Sequence, residues 1–201
     1  GEACARGLAE EGAKVAVIDR EPGAFADGPA ADLLSLEGDC TDLAVLERFV
    51  AQAEAKFGPP TVLVNNVGQS ARERGRRFVS SSEDVWRFVL EISLMTTMRL
   101  TRLVVPGMKA RRYGRIVNMS SDAAFVGDEG LADYATAKMG LIGFTRAVAR
   151  ELAAEGVTVN AVAPGAIRTR AHDRVPRAVI ERVKAGAPAG IIEETAEVAG
   201  L

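Results

Sequence analysis

Tyr134 and Lys138 stand four residues apart in the stretch DYATAKMGLIGFTRAVARELAAEG, from Asp133 to Gly156. A phenol has a pKa of about 10 and is mostly neutral at pH 7, so it is a poor base unaided. A cation about 4 Å away, at an effective dielectric near 20, favours the phenolate by roughly 4 kcal/mol, at most about three pKa units. A phenol and an ammonium one helical turn apart therefore have the parts of an acid–base pair, provided the segment is a helix. It reads as one. Leu141, Phe144, Thr145, Val148 and Leu152 recur at helical spacing, Arg146, Arg150, Glu151 and Glu155 fall elsewhere, and Gly156 suits a C-terminal stop. Carried back by three and four residues, the apolar stripe reaches Lys138 and then Tyr134, so both lie on the inward face. An inward ammonium is costly unless its charge is paired or used. The alternative is that Lys138 sits at the edge of the stripe with its head in water, and spacing alone leaves both open.

Elements able to position such a pair are present along the whole chain. Helical patterns cover residues 2–11, 42–57 and 82–111, the last with Pro106 near its end. Between them run short β-rich segments: KVAVID (Lys14 to Asp19), LLSLEGD (Leu33 to Asp39), TVLVNN (Thr61 to Asn66), GRIVNMSS (Gly114 to Ser121) and VTVNAVAPG (Val157 to Gly165). Strands alternating with helices predict βαβ units and a parallel sheet, whose ligands lie at the carboxyl ends of the strands. Asp19, Asp39, Asn66 with Gly68, Ser121, and Pro164 with Gly165 each close one predicted strand. Any one of them is ordinary loop chemistry; five in succession on one edge point to a binding site.

Composition excludes several other classes. The 201 residues are 48% hydrophobic with a formal net charge of −2, which fits one globular domain and gives no electrostatic case for nucleic acid or an anionic membrane. The basic run Arg72, Arg74, Arg76, Arg77 reads as a solvated loop. Cys4 and Cys40 have no metal spacing and make no disulfide framework, so they read as reduced thiols of a cytoplasmic protein and no metal site is expected. No apolar run approaches membrane-spanning length.

Taken in order, these residues resemble the short-chain dehydrogenase/reductase family. The resemblance rests on Tyr134-x-x-x-Lys138, on Ser121 thirteen residues before the tyrosine, on NNVG (Asn65 to Gly68) where the family usually has NNAG, and on Pro164–Gly165 after the strand that follows the tyrosine helix. It covers nearly the whole chain. It implies an α/β Rossmann-type doubly wound parallel sheet, one nicotinamide-binding domain over residues 1–201. It also implies that Tyr134 moves a proton to or from the substrate oxygen, Lys138 assists it and bonds the nicotinamide ribose, and Ser121 holds the substrate oxygen. Asp19 would bind the adenosine ribose hydroxyls and repel a 2′-phosphate, which favours NAD over NADP, while the adjacent Arg20 is the counterweight. Asp39 and Cys40 match the adenine contact, and Asn66, Val67 and Gly68 would pass along the adenosine ribose. Pro164, Gly165, Ile167 and Thr169 match the segment at the nicotinamide and diphosphate.

The sequence departs from the family pattern in places. Gly1 aligns with the last glycine of a Gly-x-x-x-Gly-x-Gly phosphate loop whose earlier part, with the strand before it, is absent. Leu201 precedes the family's last strand, so the expectation is a physical protein longer at both ends. A sheet without its central first strand would leave two neighbouring strands unpaired. Ser93 stands where the family commonly has an asparagine whose backbone helps hold a water in the proton relay, and Val67 replaces the usual alanine. Residues 170–188 match a substrate lid holding the only histidine, His172, which reads as solvent-exposed. Its Arg170, Arg174, Arg177, Arg182 and Lys184 suit either a solvated face or an anionic carrier such as coenzyme A or an acyl carrier protein. The overall pattern is nearest to 3-oxoacyl thioester reductases and hydroxyacyl-CoA dehydrogenases. A 3-hydroxyacyl or cyclic hydroxyacyl thioester therefore ranks first, a sugar or polyol second and a steroid-type alcohol third. A non-catalytic NAD-binding sensor or scaffold is the alternative class. Relatives of this kind are usually homotetramers.

Overall fold

The computed structural model describes residues 1–21, 32–169, 177–186 and 190–200. Helix α1 (Glu2–Glu10) leads into β1 (Val15–Asp19), which pairs in parallel with β2 (Leu33–Glu37), Val15 opposite Leu33 and Asp19 opposite Glu37. Helix α2 (Leu43–Phe57) then carries the chain to β3 (Val62–Asn65). Helices α3 (Glu83–Leu90) and α4 (Thr96–Ala110) precede β4 (Gly114–Met119), and α5 (Ala123–Val126) and α6 (Ala132–Leu152) precede β5 (Val157–Val162). Strands β3, β4 and β5 form a second parallel sheet with β4 in the middle. A short pair, β6 (Ile167–Arg168) with β7 (Glu193–Glu194), is flanked by α7 (Arg177–Gly186) and α8 (Thr195–Ala199). This is the α/β parallel architecture that the alternating pattern predicts. Among the described residues no helix is long and apolar enough to cross a membrane.

The sheet is in two parts, and β1 and β3 each keep an unpaired edge, as the sequence reading expects: β1 pairs only with β2, β3 only with β4, and among the described residues no ladder joins them. The two parts are held by packing instead. Ala16, Ile18 and Leu36 of the first pair lie against a core of Leu46, Phe49, Leu63, Leu100 and Ile116 that belongs to the second sheet and its helices. One feature differs from the sequence reading: the helix expected over 82–111 is broken. Between α3 and α4 the chain makes a π-turn, Glu91–Met95. The turn is pinned from outside: the Thr96 hydroxyl lies 3.1 Å from the Glu91 carbonyl and 3.2 Å from the Cys40 carbonyl. Arg99 pairs with Glu91 and donates to the Thr41 carbonyl at 3.0 Å. Hydrophobic periodicity carries no signal for such an insertion.

Local chemistry sets the other boundaries. Strand β2 stops at Glu37, and at Gly38 a Cβ would come within 2.5 Å of the Val45 side chain, so α2 packs directly on the turn. The Asp42 carboxylate caps α2 by accepting the Ala44 N–H at 2.9 Å. At Gly156 φ is +75° and a Cβ would meet the Arg112 carbonyl at 2.1 Å, so only glycine joins α6 to β5 there.

A buried polar chain fixes the register of the second sheet. Asn65 and Asn118 are partners across β3 and β4. The Asn65 amide donates to Asn118 Oδ1 at 2.9 Å and to Thr101 Oγ1 on α4 at 3.1 Å, and the Asn118 amide donates to Thr145 Oγ1 on α6 at 2.9 Å. Four elements are thus tied through two buried asparagines. Asn118→Ala leaves the Asn65 amide and the Thr145 hydroxyl short of partners, and we expect a loss of about 2–4 kcal/mol. Urea unfolding of the two proteins checks this, and an unchanged midpoint would show that water takes over the asparagine's role.

Candidate functional site

Parallel strands deliver their carboxyl ends to one edge, and here that edge holds the polar residues. The end of β4 lies beside the end of β5: Ser120 N–H donates to the Val162 carbonyl at 2.7 Å and Asp122 N–H to the Pro164 carbonyl at 3.0 Å. It is also tied to the start of α6. The Ser120 hydroxyl donates to the Lys138 carbonyl at 2.8 Å, and Lys138 Nζ donates to the Met119 carbonyl at 2.6 Å. Lys138 is 3% exposed, which answers the question its spacing leaves open: the side chain faces inward. Burial alone pushes its pKa down to about 8.

Tyr134 lies one turn earlier, with Lys138 Nζ 5.6 Å from its ring centroid. The phenol is half-buried, and burial is the largest influence on it, pushing its pKa up. A hydrogen bond from the Ser121 side chain pulls it down, the Asp122 charge pushes it up, Arg72 pulls it down and Asp128 pushes it up. The sequence reading made Lys138 the charge that acts on the phenol. In the structure the ammonium lies 5.6 Å from the ring centroid and donates to the Met119 carbonyl, and Ser121, Asp122, Arg72 and Asp128 act on the phenol as well. Ser121 Oγ donates to Asp122 Oδ1 at 3.2 Å and accepts the Ala123 N–H at 3.2 Å.

A cleft of about 880 Å³ adjoins this pair, and Asp19, Arg20, Asp39, Cys40, Asn66, Val67 and Gly68 all line it. That size suits a large organic ligand. Asp39 accepts the Thr41 N–H at 2.9 Å and the Thr41 hydroxyl at 2.7 Å, and these bonds, with the Arg20 charge, hold its carboxyl below the usual range. Asp19 accepts the Glu21 N–H at 3.0 Å. Cys40 is buried, and burial with the charges of Asp19 and Asp39 pushes its thiol up to about 11, so it stays a neutral part of the wall. Gly1 stands against Asn66, where a Cβ would come 3.0 Å from the Asn66 amide nitrogen. Gly68 joins the cleft to Lys138: a Cβ there would lie 2.9 Å from Lys138 Nζ and 3.4 Å from Ser93 Oγ.

Ser93, in the π-turn, is fully buried, and its hydroxyl brackets the Gln69 backbone, accepting from its N–H and donating to its carbonyl, each at 3.1 Å. Its side chain therefore fixes the segment after Gly68. Pro164 and Gly165 follow β5 on the Ser121 side, with the Gly165 Cβ position 3.5 Å from an Asp122 carboxylate oxygen. Ile167 is in β6, and Thr169 is exposed just beyond it. Of the lid expected over 170–188, the part 177–186 forms α7, while Arg170, His172 and Arg174 lie outside the described residues. The basic run lies on the surface as expected. Arg72 bridges to Asp128 at 3.1 Å and Arg77 to Glu129 at 2.8 Å, exposed pairs that contribute little energy. Sequence reasoning missed Arg87, Phe88, Glu91, Leu94 and Met95, which form the far wall of the cleft. Their only signal is a π-turn that periodicity does not report. It also missed Asp122, which stands next to Ser121 and is indistinguishable from a loop residue in sequence.

Comparison with known proteins gives consistent results. The model of a family described as enoyl-(acyl carrier protein) reductase matches residues 1–201. A 3-oxoacyl-[acyl-carrier-protein] reductase of Escherichia coli (strain K12) is 36% identical over 206 residues, which cover 99% of this chain and 82% of that protein. A 3-oxoacyl-[acyl-carrier-protein] reductase of Mycobacterium avium is 38% identical over 204 residues, 100% of this chain and 75% of its own. An acetoacetyl-CoA reductase of Shinella zoogloeoides is 40% identical over 153 residues, 76% of this chain and 62% of its own.

The buried ammonium makes a measurable prediction. A pKa held near 8 in the folded chain, against an ordinary 10.5, means that the unfolded state binds more protons between those values. Stability therefore rises with pH across that window, by up to about 3 kcal/mol. Below pH 8 the full penalty is present. Lys138→Met removes this rise, which urea unfolding of both proteins at pH 7 and pH 10 measures. Equal slopes would mean that the ammonium is not desolvated.

Proposed function

The chain belongs to the short-chain dehydrogenase/reductase family, and from that premise we propose that it exchanges a hydride between a nicotinamide cofactor and a 3-oxoacyl or 3-hydroxyacyl thioester. The observation that carries this reading is Lys138, buried under Tyr134 between Met119 and the cleft residue Gly68. Burying an ammonium there is costly and serves no packing purpose.

The residues present fit a nicotinamide dinucleotide. The cleft has the volume, Gly68 leaves space that a Cβ would fill, and the acidic groups Asp19 and Asp39 stand where ribose hydroxyls or an adenine amino group would find acceptors. Gly1, Asp19, Arg20, Asp39, Cys40 and Asn66 to Gly68 would hold the adenosine half. Pro164, Gly165, Ile167 and Thr169, with Lys138, would hold the nicotinamide half. Two carboxylates at the adenosine end support NAD over NADP, because a 2′-phosphate would be repelled. What the bound cofactor supplies is hydride exchange at the substrate carbon. In the reducing direction Tyr134 donates its hydroxyl proton to the substrate oxygen while Ser121 fixes that oxygen. Lys138, with a pKa near 8, is mostly protonated at pH 7 and stabilises the phenolate that remains. Reduction at a carbonyl also agrees with the names of the relatives, whereas the family description names reduction of a carbon–carbon double bond. Exposed Met98 on α4 and Met139 on α6 support a homotetramer built on those helices, and the free thiols Cys4 and Cys40 support a cytoplasmic enzyme.

Tyr134→Phe is expected to lower turnover of a 3-oxoacyl thioester by on the order of 10²- to 10⁴-fold, with cofactor binding retained. Titrating NADH and NADPH side by side should give the tighter constant for NADH; the reverse order would make Arg20 the deciding residue. Turnover of a 2-enoyl but not a 3-oxoacyl thioester would replace this reading with the family's printed one. A chain that binds the cofactor and turns over no alcohol or ketone would be a sensor.

A further inference from the structure

Ser121 has one hydroxyl proton and two lone pairs. In the structure the hydroxyl is within donating distance of Asp122 Oδ1, at 3.2 Å, and also hydrogen-bonds the Tyr134 phenol, while one lone pair takes the Ala123 N–H at 3.2 Å. With the proton directed at Asp122, one lone pair remains for the phenol and whatever else approaches the oxygen. Asp122 is itself held, because its N–H is bonded to the Pro164 carbonyl and its carboxylate lies beside Gly165. The carboxylate therefore sits at the meeting of the β4 and β5 ends rather than on a free loop. We propose that Asp122 is a positioning residue that holds the only Ser121 proton, so that the Ser121 oxygen meets Tyr134 and the substrate as an acceptor until that proton is drawn away.

This rests on the reading of Ser121 and Tyr134 as the proton-handling pair, and it adds a residue that the pair's motif does not contain. Two effects follow, and they act in the same direction. While Asp122 takes the Ser121 proton, less of that hydrogen bond is available to a phenolate on Tyr134. The carboxylate charge also disfavours the phenolate directly. Both keep the phenol protonated to higher pH, which favours proton donation to a ketone over proton abstraction from an alcohol. The charged groups facing Tyr134 are Asp122 after β4, Arg72 in the turn that follows β3, Asp128 before α6, and Lys138 on α6 itself. Asp122 is the one among them that also bonds Ser121.

The two effects separate by substitution. Asp122→Asn removes the charge and keeps an oxygen that accepts from Ser121; Asp122→Ala removes both. The chain has two tyrosines, so in a Tyr113→Phe background ultraviolet phenolate absorbance follows Tyr134 alone and needs no turnover. Tyr134 is expected to ionise at lower pH in Asp122→Asn, by on the order of half a unit at low salt and less at high salt, since the carboxylate is exposed. It should ionise at lower pH still in Asp122→Ala, and the pH profile of alcohol oxidation should move with it. In a Ser121→Ala background the Asn and Ala variants should coincide, an outcome that a merely structural role for Asp122 would not produce. Superimposed titrations of the parent and both variants, with unchanged thermal midpoints, would overturn the proposal. If titrations shift as expected but no hydride transfer is found, the proposal about Asp122 stands and the proposed function falls. If thermal midpoints drop, Asp122→Glu serves as the folding control: it keeps charge and acceptor, and must restore the parent titration.

Discussion

The structure depends on the burial of one cation. Lys138 carries its ammonium on the apolar side of α6, 3% exposed, with the Met119 carbonyl as its hydrogen-bond acceptor. A buried ammonium bonded to a neutral carbonyl is destabilised relative to water, and the lowered pKa expresses that directly. The surrounding elements are arranged around the charge. Met119 is the last residue of β4, Ser120 bonds back to the Lys138 carbonyl, and Gly68 lacks the Cβ that would press on Nζ. A larger residue at position 68 would push the ammonium off its acceptor, so the glycine, the strand end and the lysine constrain one another.

That local arrangement holds because distant parts of the sheet are in register. Asn65 and Asn118 bond across β3 and β4 and reach Thr101 on α4 and Thr145 on α6. Thr145 lies on the inward stripe of the helix that carries Lys138, two turns further on, so the same polar chain that fixes strand pairing also fixes how α6 lies on β4. A slip of one residue in β4 would turn Asn118 to the other face and move Met119 away from Nζ together. Sheet register and site geometry are therefore coupled through a few buried polar atoms, whereas the apolar core between them tolerates rearrangement more readily.

The elements that follow a period were legible in the sequence. Strands β1 to β5 and α2 lie within about three residues of their patterns, because burial on one or both faces imposes those patterns, and α6 ends at Leu152, a 3₁₀ turn short of the expected stop at Gly156. The stripe brought Lys138 to the inward side of its helix but left open whether its head reached water, which its burial decides. The features that were not legible depend on contacts between segments far apart in sequence. The π-turn at 91–95 is held by Cys40 and Thr41 from more than fifty residues away, and no local pattern announces it. The far wall of the cleft follows from that turn and was missed with it. The spacing of Lys138 and Tyr134 was legible, but the hydrogen-bond acceptor of the ammonium was not. Spacing gives the face of a helix but not the direction of a flexible four-carbon side chain, which here follows the Met119 carbonyl.

Two kinds of electrostatics meet at Tyr134 and respond differently to their surroundings. Burial raises the pKa of the phenol and lowers that of the lysine next to it, so desolvation disfavours the charged form of both. Acting on the phenol are exposed charges of both signs, Asp122 and Asp128 against Arg72, with Arg72 and Asp128 also bonded to each other. Because that salt bridge neutralises its own two charges at a distance, Asp122 is the charge left uncompensated close to Ser121. Salt screens such a surface carboxylate and hardly touches a desolvation penalty. A substrate or cofactor that covers the site would act in the opposite sense to salt, excluding water and strengthening the field of Asp122 at the phenol. The protonation of Tyr134 is thus set by the fold through burial and adjusted by one carboxylate whose influence grows as the site closes.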